Sequence, residues 1–498
     1  MSTQYGPFMS QGESNFEVFE KYVMNEIPIR LIRLSDMSLV GRDYVREHFR
    51  NSVPNDGSSY DSYDSYCASD HVKYAILSHR WLSQGEPTYK EMEARTASGP
   101  GYEKLQNFCE KAKEYDVEFA WSDTCCIDKS SSTELDESIR SMFRWYNNSS
   151  ICIIHLAQSK TIGDIMGDEW TTRGWTLQEL LAPHKIKFFN EDWMPMTNEG
   201  NDKSIEMSDI MKTLERATGI DHHHLRESFP GPHLVDIRMS WAARRKTTRV
   251  EDVAYSLMGI FDVSLQIAYG EGGERAFCRL IEAIMQSGDP SVLNWAGSPS
   301  YHRTSLAIPR SPHNFVGRRA FRQFSDIQLE MTITSRGLRV PLVMFPLNYL
   351  STRETEDGYF CIIFDCPLCP SMELVINTKS GLTQWGSNDQ FALGILTYSL
   401  INDGSREAIG ILPLSVGFFL SRARYPLFPA IPSTDPNPFT SRSVGIGTGD
   451  TITSSKYAFS PWTAAKTSDV GLVELNFPNA TSSSMFYMDR KYLEIVYL

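Results

Sequence analysis

The sequence predicts a chain in three parts: an α/β domain built on a parallel sheet, a helical extension, and a β-rich C-terminal domain. Three observations carry this expectation. Between Tyr74 and Asn190 short apolar runs alternate with segments of helical period, the pattern of parallel strands joined by crossover helices. From about Met207 to Ser287 the periodicity is helical. After Trp295 the chain is rich in Gly, Pro, Ser and Thr and carries alternating stretches such as LEMTITSRGLRVPLVMF, FCIIFDC, FALGILTYSL and YLEIVYL, as antiparallel sheets do. The expected limits are 1–26 for a polar N-terminal tail, 27–195 for the α/β domain, 196–298 for the extension and 299–498 for the β-rich domain. No repeat of solenoid period is present.

Taken in order, residues before Ile27 are polar and contribute nothing evident to a core, and Asn51–Ser69 reads as a Ser/Asp/Tyr-rich loop. The run YAILSHRW is the first strand of the parallel sheet. Leu105, Phe108, Cys109 and Ala112 then mark a helix at spacings of three and four, and EFAWSD supplies the second strand. Ser131 and Glu134 form a Ser-x-x-Glu capping signature ahead of the apolar stripe Leu135, Ile139, Met142, Phe143 and Tyr146, which leads into the third strand, SICIIHL. A helix over Thr171–Leu181 is stopped by Pro183, and KIKFF forms the fourth strand. In the extension, VEDVAYSLMGIF and ERAFCRLIEAIM are the best amphipathic segments.

The totals bound the function. At 498 residues the chain exceeds one hydrophobic core and buries ample apolar surface. Its net charge of -13 argues against phosphate-backbone binding, so nucleic acid is not an expected partner. Nine cysteines, an odd number with several inside apolar runs and no signal peptide ahead of them, fit a reducing, cytoplasmic setting. The longest apolar run, Ala408–Leu420, is shorter than the roughly 18–20 residues of a membrane span and contains Pro413; it reads as two buried strands around a turn.

In open parallel sheets, ligands bind beyond the carboxyl ends of the strands, where the strand order reverses. Past the first strand come Ser78, His79, Arg80 and Trp81; past the second, Asp123, Cys125 and Cys126; past the third, His155 and the helix that carries Glu179. In a flavodoxin-like order, 2-1-3-4, the first and third strands are neighbours, so the Ser78 loop and the Glu179 helix should flank one cleft. Glu179 is then either a reagent or the ion-pair partner of Arg173 or of an arginine in the following region. His79 and Asp123 have the equally ordinary roles of closing a sheet edge and accepting backbone N–H groups in a turn.

The blocks YAILSHRW, WSDTCCID with its following helix, and RGWTLQEL resemble, in order and spacing, the signature blocks of the fungal heterokaryon-incompatibility (HET) domain. RKTTRVEDVAYSLMGIFDV and IAYGEGGERAF resemble the segments downstream of that domain in many members. HET domains are in turn distantly similar to Toll/interleukin-1 receptor (TIR) domains, whose sheet is flavodoxin-like. The resemblance implies a cell-death effector in fungal non-self recognition and innate immunity. In TIR domains that cleave NAD the catalytic glutamate lies in a Trp-x-x-x-Glu-Leu segment, which Trp175, Glu179 and Leu180 match. It therefore implies Glu179 as the catalytic residue of an NAD hydrolase, with Ser78, His79, Arg80, Trp81, Asp123 and Trp175 binding substrate, NAD as substrate rather than cofactor, and no metal. The alternative it leaves open is a non-enzymatic adaptor acting by self-association or through a partner HET or sensor protein. One carboxylate is chemically sufficient for the enzyme: nicotinamide leaves neutral from a cationic pyridinium and needs no general acid, whereas most glycosidases require two carboxyl groups. Glu179 is then expected to be ionised and to share a helix face with Trp175.

Weaker signals complete the reading. Cys361, Cys366 and Cys369 lack an evident fourth ligand for zinc and are expected to be buried thiols. His222–His224 reads as solvated histidines in a polar loop. YGEGGERAF lacks the ending of a phosphate loop. Arg244, Arg245, Lys246 and Arg249, beside Glu251 and Asp252, read as a charged helix start, with contact to a pyrophosphate as the sharper alternative.

Overall fold

The computed structural model describes residues 14–53, 68–205, 208–302, 307–317, 329–356, 358, 360–369, 373–378, 390–402, 407–411, 414–422, 424–426, 457–459, 463–464, 473–476 and 486–498. The chain divides into two compact units, residues 1–292 with 310–321 and residues 293–309 with 322–498. The Asn51–Ser69 loop, Cys67 and the turn at Pro413 lie wholly or largely outside the described residues.

The first unit is built on a six-stranded sheet. Strands β1 (Arg30–Arg33), β2 (Ser38–Gly41), β3 (Tyr74–His79), β4 (Phe119–Trp121), β5 (Ile151–His155) and β6 (Ile186–Phe189) take the order β2-β1-β4-β3-β5-β6. The four runs read from the sequence are β3 to β6, all parallel, and counted from Tyr74 they stand second, first, third, fourth. Every residue of these four strands is buried, as expected where crossover helices cover both faces. The β1–β2 hairpin adds antiparallel to β4.

Helices α1 (Asn15–Asn25), α2 (Arg42–Phe49), α3 (Tyr89–Glu93), α4 (Pro100–Ala112), α5 (Ser132–Asn147) and α6 (Thr176–Leu181) belong to this layer. The α1 helix corrects the expected polar tail. Ser14 and Glu17 form a reciprocal capping box, and Val18, Phe19, Tyr22 and Val23 bury one face. The Ser131–Glu134 signature makes only half of such a box: Ser131 accepts the Glu134 N–H, but the Glu134 carboxylate accepts from the Asp128 N–H at 2.7 Å and pairs with Arg30. The expected Thr171–Leu181 helix is also shorter. A 3-10 turn at Glu169–Thr172 precedes α6, and between them Arg173 is extended, with φ -78° and ψ 145°.

The helical extension holds α7 (Asp209–Thr218), α8 (His222–Arg226), α9 (Val235–Ala242), α10 (Asp252–Tyr255) and α11 (Gly273–Met285). The ERAFCRLIEAIM segment falls in α11, but VEDVAYSLMGIF keeps only the four-residue α10, followed by turns. There Gly259 passes so close to Phe143 that an added Cβ would lie 2.1 Å from the Phe143 Cβ. The histidine run is a short helix rather than a loop. Asp221 caps it by accepting the His223 N–H at 2.9 Å, and His224 leans on Trp241. Asp221, His222 and His223 bring three ligand-type atoms within 4.8 Å, at mostly exposed positions.

The second unit is antiparallel β structure. Strand Gly337–Glu354 pairs with Phe360–Asp365, Gln390–Ile395 and Leu493–Tyr497 within a nine-stranded sheet. The long apolar run separates into Glu407–Ile411, in a three-stranded sheet, and Leu414–Arg422, in the nine-stranded one. Among the described cysteines all are free thiols; Cys366 and Cys369 are buried and Cys361 is half-buried. No described helix is long and apolar enough to cross a membrane.

Candidate functional site

The adjacent β3 and β5 place Ser78 beside Ile154 and His79 beside His155 at their carboxyl ends, and α6 crosses over this edge. All six residues of α6 are buried, Glu179 included, at 7% exposure. The Ser78 hydroxyl donates to Glu179 Oε2 at 2.5 Å and accepts the Trp170 indole N–H at 2.8 Å. Because the indole can only donate, the serine proton is directed at the carboxyl group. Glu179 makes no ion pair with Arg173 or Arg245. Its carboxyl is nonetheless pushed up to about 8, chiefly by burial, with Asp123 reinforcing the shift and the Ser78 hydrogen bond, Arg173 and Arg245 opposing it. The expectation of an ionised Glu179 is therefore corrected: at neutral pH the free chain holds it mainly protonated.

A cleft of about 580 Å³ opens at this edge of the first unit. Of the residues read from the sequence, His79, Trp81, Asp123, Trp175 and Glu179 line it. Ser78 is fully buried behind Glu179, and Arg80 turns away to pair with Glu169 at 2.9 Å. His155 stacks on Trp193 instead, with ring centroids 4.2 Å apart, and Cys125 and Cys126 are buried in the turn after β4. Ile127, Leu135, Ile139 and Met142 form an apolar wall. A volume of this size with apolar walls and a few convergent polar groups is what small-molecule sites present.

Inside the cleft the polar groups have fixed states. His79 is buried, and neither ring nitrogen has a hydrogen-bond partner. Burial, reinforced by the charge of Lys104, lowers its pKa well below the usual imidazole value, so its 3.8 Å approach to Asp123 is not an ion pair. Asp123 accepts the Trp81 indole N–H at 2.9 Å, and Lys129 lies 4.0 Å from the centre of the Trp81 ring. Trp175 donates its indole N–H to Asp252 at 3.0 Å, and Tyr269 donates to the other oxygen at 2.9 Å.

The opposite contribution comes from the extension. The Gly174 N–H donates to the Lys246 carbonyl at 2.8 Å and the Lys246 N–H to the Thr172 carbonyl at 2.7 Å, a parallel bridge between distant segments. Gly174 is required for that approach, since an added Cβ would lie 2.4 Å from Thr247 Cγ2. The bridge brings Lys246, Thr247, Thr248 and Arg249 to the cleft beside Arg173. The expected charged helix start thus divides: Lys246 and Arg249 line the cleft, while the Arg245 guanidinium donates to the Arg173 carbonyl at 2.8 Å and to Thr176. Burial lowers the Arg245 pKa to about 9, with Glu179 opposing.

Residues 74–166 match the family model described as Heterokaryon incompatibility protein (HET). The chain is also 43% identical over 224 residues to the vegetative incompatibility protein HET-E-1 of Podospora anserina, an alignment covering 42% of this chain and 16% of that protein. This chain carries a HET domain. It spans only about a sixth of the length of that relative. No solved structure matches it. The matched stretch of the HET domain includes Ser78 to Trp81 and Asp123 but ends before Glu179, and the cations of the extension lie further on. Sequence reasoning passed over Lys129, Arg173 and Tyr269 as site residues. The signal available for them was their place in or beside the signature blocks: Arg173 opens RGWTLQEL, Lys129 directly follows WSDTCCID, and Tyr269 lies in IAYGEGGERAF.

Proposed function

We propose that this HET-domain chain is an effector of heterokaryon incompatibility that hydrolyses the nicotinamide–ribose bond of NAD. The incompatibility role rests on the domain match and on what the name of its Podospora relative says of that protein. The strand order 2-1-3-4 supports a flavodoxin-like, TIR-like sheet. The observation that carries the chemistry is a buried carboxyl group, Glu179, opening into a cleft at the carboxyl ends of parallel strands.

In this reading the cationic pyridinium enters beside Glu179 and favours its carboxylate form, so binding releases a proton. The Ser78 hydroxyl, held by Trp170, stabilises that carboxylate. The C–N glycosidic bond then breaks with its electron pair leaving on nicotinamide nitrogen, and positive charge develops on the ribose next to the carboxylate. Water adds to the anomeric carbon and gives up a proton, yielding ADP-ribose and nicotinamide. The Asp252–Trp175 hydrogen bond holds one aromatic wall in place while this occurs.

The test is nicotinamide release by purified chain, dilute and under crowding, because self-association is a natural trigger for such a domain. Glu179→Gln should abolish release without lowering thermal stability by more than about 1 kcal/mol at neutral pH. Full activity in this variant would sink the enzymatic reading. Absence of release in every assembled form would favour an adaptor that works by self-association.

A further inference from the structure

We infer that Arg173, Lys246 and Arg249 form a diphosphate subsite in the Glu179 cleft, an assignment that rests on the nucleotide reading above and narrows it to ligands carrying a diphosphate. All three line the cleft, and among the described residues none of the three has a carboxylate within ion-pair distance. The acidic residues around them are already engaged. Glu169 pairs with Arg80, Asp252 accepts from Trp175 and Tyr269, and Glu251 accepts the Gly270 and Gly272 N–H groups at 2.9 and 3.0 Å.

The cations are also held in place. Arg249 lies 4.0 Å over the ring of Tyr269, which is itself tied to Asp252. Arg173 and Lys246 are joined through the backbone bridge between their segments. These are three like charges gathered at one wall with no carboxylate in ion-pair contact, although Glu251 and Asp252 lie near enough to Arg249 to feel its charge, and a dianion seated among the three relieves their mutual repulsion. Guanidinium groups suit phosphate oxygens because they can donate two parallel hydrogen bonds, and the Thr247 and Thr248 hydroxyls on the same wall add neutral donors. The cleft therefore pairs a group that favours positive charge, Glu179, with a group that favours two negative charges. A pyridinium dinucleotide carries both, whereas nicotinamide riboside carries only the first.

The experiment has two arms. In the first, inorganic pyrophosphate is titrated against the full chain and read by tryptophan fluorescence and thermal shift. The parent should bind it, and Arg173→Gln with Arg249→Gln should weaken binding tenfold or more. The pair Arg173→Lys with Arg249→Lys keeps the charges but loses the forked donors and the stack on Tyr269, so its binding should fall between that of the parent and that of the glutamine pair. Equal binding by parent and glutamine pair, or a loss in the lysine pair as large as in the glutamine pair, would overturn the assignment whatever the chain does to NAD. In the second arm, the glutamine pair should lower the preference for NAD over nicotinamide riboside, measured as the ratio of kcat/KM values, by tenfold or more through KM. An unchanged ratio also overturns it. Pyrophosphate binding that depends on the two arginines in a chain that never releases nicotinamide would leave the subsite standing and remove only the hydrolase reading.

Discussion

The Ser78 hydroxyl lies 2.5 Å from Glu179 Oε2, inside the sheet edge and out of contact with solvent. The serine proton has no other acceptor in reach, because the Trp170 N–H occupies the hydroxyl from its other side. The pair joins the carboxyl end of the first parallel strand to the helix after the third. It ties the electrostatic state of the cleft to the geometry of the fold.

The rate should follow that state. With the Glu179 carboxyl held at about 8 in the free chain, kcat/KM for nicotinamide release should rise with pH and level off above about 8. Ser78→Ala removes a hydrogen bond that favours the carboxylate, so the inflection should move to higher pH. A pH-independent rate between 6 and 9 would contradict both.

Stability should move the other way. The folded chain retains a proton on Glu179 that the unfolded chain loses near its ordinary value of 4.5, so its contribution is fully present below about 4.5 and is lost as pH rises through about 8. Glu179→Gln has no such proton to lose. Its stability relative to the parent should therefore grow between pH 5 and 9, by a total of about 3–5 kcal/mol, as read from urea midpoints.

Gly174→Ala should cost about 1–3 kcal/mol, because its Cβ would meet Thr247 Cγ2 at 2.4 Å and force the bridge apart. Thr247→Ser deletes the offending methyl group. A double-mutant cycle should then return most of the loss, and strict additivity would show that the contact is not its cause.

Asp252→Asn leaves one acceptor oxygen for two donors, Trp175 and Tyr269. One of the two then loses its partner, at a cost of about 1–3 kcal/mol. The emission of Trp175 should shift, checked against Trp175→Phe in the same background.

Much of the α/β framework was legible because continuous apolar runs between helical segments leave little freedom in a parallel sheet, and the observed order of the four runs matches the 2-1-3-4 expected of a flavodoxin-like sheet. Glu179, His79, Trp81 and Asp123 were legible as one edge for the same reason. The α1 helix was written in Ser14-x-x-Glu17 and in the apolar positions Val18, Phe19, Tyr22 and Val23, but surrounding polar residues obscured it. The protonation of Glu179 was not legible, since burial depends on how tightly α6 covers the sheet. Nor was the role of Lys246 and Arg249. Only a backbone bridge between residues far apart in the chain brings them to Arg173, and no local period encodes such a bridge.

The ribbon from Arg244 to Val250 is exposed at most of its positions and includes four basic residues. One wall of the cleft thus hangs on a stretch that a trypsin-like protease can reach, while the sheet beneath it is out of reach. A single nick there should leave the buried strands folded while loosening Lys246 and Arg249 from their place beside Arg173.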